Sequence, residues 1–237
     1  MLLSPSAFLL RHRLTGATER MDLADCDPRQ LERTYRNFGM VNAALSGWNM
    51  VYRREIRPQL SATRSRSLLD IGSGGGDVPR QLMRWAQRDG LLLTVTAIDA
   101  DARAVRYARG LPPLPGLRFR QAMSHDLVAE NLTFDFITSN HLLHHLTYLE
   151  LGSLLEDCQA LCSGTVIHSD IERSPLAYAL FGAATWALFP GSFIHDDGLL
   201  SIRRSYTAPE LQRSVPGGWR VVRQFPYRNL LTYRAGA

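Results

Sequence analysis

The sequence predicts an α/β protein of the doubly wound, Rossmann-like type, and three observations lead to this fold class. The apolar run 68–71 meets a cluster of glycines, which is typical of a buried strand that turns sharply into a helix. Further strand-like runs alternate with helix-like segments along the chain. A length of 237 residues with 45% apolar content suits one domain with a sizeable core.

The glycine cluster follows the first predicted strand, and its spacing separates two kinds of nucleotide site. A dinucleotide-binding motif, Gly-x-Gly-x-x-Gly counted from Gly72, would need glycine where the chain has Asp77. The chain instead reads Asp70-x-Gly72-x-Gly74-x-Gly76. Glycines here allow positive φ angles and leave room for a ligand against the backbone. A glycine-rich turn without a ligand is the alternative interpretation.

This spacing resembles the first motif of the class I S-adenosylmethionine-dependent methyltransferases. The resemblance implies a seven-stranded Rossmann-like sheet that ends in an antiparallel hairpin, and it implies S-adenosylmethionine as the cofactor. The residues that it places against this cofactor are Asp70, Gly72, Ser73 and Gly74.

An acidic residue ends the second predicted strand, residues 92–98. A carboxylate at this point can accept hydrogen bonds from both hydroxyls of a ribose, so Asp99 and the adjacent Ala100 are predicted to bind the cofactor. Asp101 precedes a helix-like run and is predicted to cap it. An ordinary turn aspartate is the alternative for Asp99.

Composition and charge limit the classes of partner. The net charge of +5 is spread along the chain, so we expect no nucleic-acid partner. Cys26, Cys158 and Cys162 form no Cys-x-x-Cys pair, which suits a reducing cytoplasm and argues against structural zinc. No apolar stretch is long enough to span a membrane, and residues 2–10 lack the basic leader of a signal peptide. We therefore expect a cytoplasmic location.

The first 60 residues are predicted to form an arm and a helical lid on a methyltransferase domain at 61–237. Residues 11–27 are polar without periodicity and are predicted to order late or against ligand. Two predicted helices, 29–38 and 41–56, precede the first strand and are free to cover the edge of the sheet where a ligand lies. A helical cap that only completes the core is the alternative.

Three residues of this predicted lid are candidates for contact with the substrate: Tyr35, Asn42 and Trp48. The stretch 38–48 is also loosely similar to the corresponding part of the ubiquinone and menaquinone C-methyltransferases.

The third and fourth predicted strands, 117–123 and 134–139, end in polar residues. In the family that the glycine motif resembles, a polar side chain after the third strand contacts the adenine amino group. The matching positions are Ser124 and Asp126, although Asp126 also suits a helix cap. The resemblance further implies that Asn140 and His141 border the methionine portion of the cofactor.

Three histidines follow the fourth strand: His141, His144 and His145. On a helix they would share one face and could bind a metal, but the segment offers no carboxylate and no His-Glu-x-x-His pattern, so no metal site is expected. A general base is the favoured function, because imidazole titrates near neutral pH. The candidates are His145, His144 and His195; packing or hydrogen-bonding histidines are the alternative.

The remaining segments complete the fold. A fifth strand is predicted at 164–171, followed by an apolar helix at 176–189 and a loop that contains His195 and Asp196. Asp196 is a further candidate for contact with the substrate. Two strand-like runs around Pro226 predict the closing hairpin.

Together these patterns predict an enzyme of secondary metabolism that methylates an oxygen or carbon of a small hydroxylated aromatic, quinol or polyketide-like metabolite. We expect a monomer or a homodimer. The alternatives are an RNA or protein methyltransferase, a nicotinamide oxidoreductase, and a non-catalytic protein that binds S-adenosylmethionine. The sequence by itself does not identify the acceptor.

Overall fold

The computed structural model describes residues 10–236. Seven strands in this range form one sheet in the order β3-β2-β1-β4-β5-β7-β6. Their bounds are β1 Arg66–Ile71, β2 Leu93–Asp99, β3 Leu117–Gln121, β4 Phe134–Asn140, β5 Cys162–Ile171, β6 Arg220–Gln224 and β7 Arg228–Arg234. This arrangement confirms the predicted Rossmann-like sheet. The prediction that the chain carries no signal peptide falls largely on residues 1–9, outside the described range.

The sheet is parallel from β3 to β5 and closes with an antiparallel pair. β1 lies between β2 and β4, so the strand order reverses there and opens a crevice at the carboxyl ends of the strands. β7 pairs antiparallel with both β5 and β6, as the predicted hairpin requires. Ligands of such sheets bind in the crevice at the reversal point.

Nine helices accompany the sheet in residues 10–236. Their bounds are α1 Pro28–Leu45, α2 Trp48–Val51, α3 Asp77–Arg88, α4 Ala102–Gly110, α5 Ser124–Ala129, α6 Tyr148–Leu161, α7 Pro175–Thr185, α8 Ile194–Arg204 and α9 Ala208–Arg213. A π-helical stretch at Tyr52–Ile56 and a 3₁₀ turn at Arg57–Gln59 continue α2, and another 3₁₀ turn covers Leu143–His145.

The two faces of the sheet bury separate apolar clusters. Along β1, Leu69 faces the cluster that contains α6, whereas Leu68 faces the cluster that contains α3. Along β4, Ile137 faces the cluster that contains α6, and Phe136 faces the cluster that contains α3. This alternation follows from the two-residue period of a strand, and it shows why these central strands are apolar on both sides.

The predicted lid divides into two parts with different surroundings. Asp27 caps α1 by accepting hydrogen bonds from the backbone N–H groups of the first turn, and Pro28 occupies the first helical position, as predicted. α1 contributes residues to the cavity described below. Trp48 and the residues after it instead pack in the core beside α3. The lid prediction was therefore wrong for this second part.

Residues 194–204 form helix α8, where the sequence predicted a loop around His195 and Asp196. The buried residues Ile194, Asp197 and Ser201 recur at helical spacing. Two of these three residues are polar, so the apolar periodicity that marks a helix is weak. Asp197 and Ser201 are hydrogen-bonded to the N-terminal arm, which a local pattern does not show.

Candidate active site

A cavity of about 600 Å³ lies at the carboxyl edge of the sheet. We refer to the wall at the glycine loop and the ends of β1, β2 and β4 as one end, and to the wall at Glu19, His144 and His145 as the other. Residues of α1, α6, α7 and α8 complete the wall. This volume is in the range of small-molecule sites, which is about 300–1,000 Å³.

The loop between β1 and α3 depends on its glycines for geometry. Gly72, Gly74 and Gly76 have φ angles of 69°, 52° and 79°, which disfavour residues with a Cβ atom. A Cβ on Gly76 would lie 2.6 Å from the ring of Phe119. At Gly74 no protein atom lies within 4 Å of such a position, so the space in front of it is open to a ligand.

Asp99 connects β2 to this loop. Its Oδ2 accepts a hydrogen bond of 2.7 Å from the N–H of Gly74, and its Oδ1 accepts one of 2.9 Å from the N–H of Asp101. Asp101 caps α4 by accepting from the N–H of Arg103, as predicted. Burial raises the pKa of Asp99. Asp99 and Ala100 both line the cavity.

Two further acids make this end of the cavity strongly acidic. Asp70 is buried and accepts a 2.7 Å hydrogen bond from the hydroxyl of Thr138; burial raises its pKa to about 8. Asp77 accepts a 2.8 Å hydrogen bond from the side-chain amide of Asn42, and burial raises its pKa as well. A cationic ligand would stabilise the ionised forms of these carboxyl groups.

Ser124 and Asp126 have different surroundings. Ser124 lines the cavity, and its hydroxyl donates a 2.6 Å hydrogen bond to Asp157 of α6. Asp126 lies outside the cavity wall and caps its own helix by accepting a hydrogen bond from the N–H of Met123. The geometry thus favours the capping alternative for Asp126. Asp157, which also lines the cavity, was not predicted, because nothing in its helical segment marks it.

Asn140 and His141 line the cavity at the end of β4, and Arg228 of β7 holds both. Its guanidinium donates to the side-chain oxygen of Asn140 at 2.6 Å and to Nε2 of His141 at 3.0 Å. Burial and the charge of Arg228 lower the pKa of His141 well below its usual value, which favours the neutral ring that can accept this hydrogen bond. Asn42 accepts a 3.3 Å hydrogen bond from Asn140, which links α1 to β4.

His144 lies between two carboxylates at the other end of the cavity. Its Nδ1 is 2.7 Å from Oδ1 of Asp170, and its Nε2 is 3.3 Å from Oε1 of Glu19. Burial opposes the protonated form, but the charges of Asp170 and Glu19 dominate and raise the pKa of His144 to about 9. Both carboxylates are themselves buried.

His145 faces the same glutamate and is partly open to the cavity. Its Nε2 is 3.8 Å from Oε1 of Glu19, and its Nδ1 is 3.1 Å from Oδ2 of Asp22. His144 and His145 therefore both direct Nε2 toward Glu19, while another carboxylate holds each Nδ1. His141 is not part of this group, because the segment is a 3₁₀ turn rather than the longer helix that would align all three rings.

Four other predicted residues lie outside the cavity wall. Trp48 is in the core, and Tyr35 packs against Tyr107 with ring centroids 5.2 Å apart. His195 contacts the hydroxyl of Thr185. Asp196 is exposed and pairs with Arg20. They were predicted as aromatic or polar residues on segments near the site, but the core packing of Trp48 and the positions of the other three on their helices keep them out of the cavity wall.

The N-terminal arm supplies site residues that the sequence did not indicate: Glu19, Met21 and Asp22. Asp197 of α8 accepts hydrogen bonds of 2.9 Å from the N–H groups of Arg20 and Met21. Arg13 donates to the carbonyls of His144 and Leu146. These contacts join parts of the chain more than 130 residues apart, so no local pattern could reveal them.

The reversed strand order, the glycine loop and the acid after β2 define a Rossmann-like methyltransferase domain. A family profile described as a methyltransferase domain matches residues 50–212. The chain therefore belongs to this methyltransferase family, which confirms the predicted family and the predicted class of S-adenosylmethionine-dependent enzyme.

Solved structures of the same fold include the plantazolicin methyltransferase BpumL in complex with SAH, at 14% identity and a TM-score of 0.62, covering 90% of this chain and 91% of that one. Human N-acetylserotonin methyltransferase in complex with SAM has 13% identity and a TM-score of 0.61, over 89% and 57%. The CurJ carbon methyltransferase has 14% identity and a TM-score of 0.61, over 89% and 61%. At these identities the likeness establishes the fold.

No curated protein matches the chain in sequence. In residues 10–236, no helix combines the length and apolar character needed to cross a membrane.

Proposed function

We propose that the protein transfers the methyl group of S-adenosylmethionine to an oxygen or carbon of a small hydroxylated acceptor. The observation that carries this proposal is the single cavity that connects the glycine loop to Glu19, His144 and His145. One end offers the features of a nucleoside site, and the other offers His145, which is partly open to the cavity, as a group that can accept a proton.

The cofactor occupies the end formed by the glycine loop. Asp99 accepts hydrogen bonds from the ribose hydroxyls, because its carboxylate is already oriented by two backbone N–H groups. Gly72, Ser73 and Gly74 contact the cofactor, and the space in front of Gly74 is open. Ala100 and Ser124 border the adenine, and Asn140 and His141 border the methionine portion.

The reaction needs little covalent chemistry from the protein. The sulfonium methyl carbon is electrophilic, so the protein aligns the acceptor atom behind it and excludes water. The new bond to oxygen or carbon forms as the bond from methyl to sulfur breaks, which leaves S-adenosylhomocysteine. The acceptor hydroxyl loses its proton at the end of the cavity that holds Glu19, His144 and His145, because a phenol of pKa about 10 is mostly neutral at pH 7.

The walls at the acceptor end favour a compact and largely apolar acceptor. Phe38, Phe181, Phe193 and Ile194 line the cavity. The cavity of about 600 Å³ must hold both the cofactor and the acceptor, which suits a phenolic, quinol or polyketide-like metabolite better than a nucleic acid or a protein. Asn42 of α1 is positioned between the cofactor motif and the acceptor, so it is the predicted lid residue that best fits substrate contact.

The proposal includes a role in secondary metabolism and a cytoplasmic location. It also includes a monomeric or homodimeric state. The cysteines of the described chain are free thiols, in keeping with a reducing compartment.

The test uses methyl-labelled S-adenosylmethionine and a cell extract of the source. The products are separated into organic-soluble, nucleic-acid and protein fractions. We expect label in the organic fraction with the wild-type protein and with Asp126→Asn, whose carboxyl lies outside the cavity wall. We expect loss of that label with Asp99→Asn. Label in RNA or protein alone would contradict the proposed acceptor class, and binding of S-adenosylhomocysteine without turnover would contradict catalysis.

A further inference from the structure

Three donor atoms converge at the acceptor end of the cavity: Oε1 of Glu19, Nε2 of His144 and Nε2 of His145. They lie within 4.8 Å of one another, and the oxygen is 3.3 and 3.8 Å from the two nitrogens. Donors around a tetrahedral zinc ion, with metal–ligand distances near 2.0–2.2 Å, are separated by about 3.4 Å. The three atoms are thus near the separation that one metal ion requires.

The other nitrogen of each ring is held by a carboxylate. Nδ1 of His144 is 2.7 Å from Asp170, and Nδ1 of His145 is 3.1 Å from Asp22. Metal-binding histidines nearly always have such a partner, which fixes the tautomer and makes the free nitrogen a better ligand. A histidine that serves only in packing needs no such arrangement, and here two adjacent histidines share it.

The free nitrogen of His144 has no hydrogen-bond partner among the described residues. The ring is almost fully buried, and its approach to Glu19 has poor hydrogen-bond geometry. A buried nitrogen whose one polar neighbour is this poorly aligned carboxylate is costly to retain, so its position favours a ligand at this point.

The charges around the group suit a divalent cation. Glu19, Asp22 and Asp170 contact the two rings, whereas Arg204 pairs with Glu19 at 3.6 Å. Arg13 and Arg228 also act on Asp170, so a cation would be attracted mainly by Glu19 and Asp22. Its binding would displace the proton of His144. Ser201 also donates a hydrogen bond to Oε1 of Glu19, which orients the carboxylate while leaving other lone pairs available.

We propose that Glu19, His144 and His145 bind a divalent transition-metal ion such as Zn²⁺ at the acceptor end of the cavity. Two histidines and one carboxylate form a known catalytic ligand set, with further positions open to substrate. The sequence argued against a metal because no carboxylate is near the histidines in the chain; the fold supplies Glu19 from the arm.

Its catalytic use rests on the function proposed above. The metal ion accepts a lone pair from the acceptor hydroxyl and lowers the pKa of that group, as it does for bound water. The hydroxyl proton passes to solvent, and the resulting oxygen anion, or the ring carbon that it activates, attacks the methyl carbon. The bond from methyl to sulfur breaks with its electron pair on sulfur. The metal ion undergoes no redox change.

The test measures Zn²⁺ binding to the full chain, without an acceptor. Protein treated with a chelator is titrated with Zn²⁺ in competition with a chromophoric chelator, and metal content is measured after desalting. We expect one equivalent in the wild-type protein. Glu19→Gln and His145→Gln are expected to weaken binding at least about tenfold, and Asp22→Asn about 10- to 100-fold. His12→Gln, an exposed histidine outside the cavity wall, is the matched control and retains one equivalent.

Folding of each variant is checked by its S-adenosylhomocysteine affinity and its thermal midpoint. No bound Zn²⁺ in the wild-type protein, or equal binding in folded Glu19→Gln, would overturn the metal site. Methyl transfer that continues unchanged after chelation would overturn its catalytic use but not the proposed function. Specific Zn²⁺ binding with no methyl transfer to any acceptor would support the metal site and contradict the proposed function.

Discussion

The two ends of the cavity are built in different ways. At the cofactor end, the central contacts join residues of the β1–α3 loop and the end of β2, within about thirty residues of one another in the chain. At the acceptor end, Glu19 of the arm meets His144 and His145 after β4, while Asp170 of β5 and Asp197 of α8 orient them. The first end depends on backbone geometry, which local residue types encode; the second depends on packing between distant segments. Variants at each end should therefore affect different measurements.

The largest expected effect is on methyl transfer at the acceptor end. His145→Gln removes a nitrogen that faces Glu19 and is expected to lower the transfer rate at least about 100-fold, the lower range for loss of proton-transfer catalysis. The affinity for S-adenosylhomocysteine, measured by calorimetry, should stay within about twofold, because the cofactor end is intact. His195→Gln is the control, since His195 lies outside the cavity wall. An equal loss of transfer rate in both variants would contradict a specific role for His145, and a weakened S-adenosylhomocysteine affinity in His145→Gln would show that the two ends are not separable in this way.

The next effect is on cofactor affinity. Asp99→Asn removes the negative charge that is proposed to accept hydrogen bonds from the ribose hydroxyls. It also weakens the hydrogen bond from the N–H of Gly74. Hydrogen bonds to a charged group contribute about 1.5–3 kcal/mol each, so we expect an S-adenosylhomocysteine dissociation constant about 100-fold higher. Asp126→Asn should change it less than twofold. If Asp99→Asn bound the ligand normally, the assignment of Asp99 to the ribose would be wrong.

A smaller effect is expected from alanine at Gly74. Comparison with Gly90 separates the loss of space for the ligand from the strain of a positive φ angle. Gly74 and Gly90 both have positive φ angles, and a Cβ atom on either would meet no protein atom within 4 Å. Alanine at either position should lower the free energy of unfolding by about 1–2 kcal/mol. Gly74→Ala should also raise the S-adenosylhomocysteine dissociation constant about tenfold, because the added carbon enters the cavity. Denaturant titration and calorimetry measure the two quantities; unchanged affinity in Gly74→Ala would place the ligand elsewhere.

The smallest effect is a pH dependence. Burial raises the pKa of Asp70 to about 8, and the charges of Asp77 and Asp99 contribute. A ligand with an ammonium group favours the ionised carboxylate, so binding at low pH must first displace a proton. The affinity for S-adenosylhomocysteine should therefore rise several-fold from pH 6.5 to pH 8.5. Asp70→Asn, which has no proton to lose, should flatten this change; an identical slope in the variant would rule out Asp70 as its source.

The geometry of the glycine loop could be predicted because a sharp turn from a strand into a helix needs particular residue types at fixed spacing. Gly72, Gly74 and Gly76 all have the positive φ angles that their spacing predicted, and Asp99 lies at the end of β2. Asp126 shows the limit of this reasoning. An acid just after a strand suits both a ligand contact and a helix cap, and only the position of Ser124 beside Asp157 indicates which side chain reaches the cavity.

By itself, the sequence missed helix α8 but determined the succession of the seven strands along the chain, the closing hairpin, the glycine loop and the family. These depend on local preferences: apolar period, φ angles and capping. The tertiary structure decided which side chains share the acceptor end. Glu19 lies in a polar segment with no periodicity, and His195 lies one helical face away from the cavity despite its promising neighbours. Contacts between segments more than 100 residues apart depend on how the helices pack over the sheet, and no local pattern records that packing.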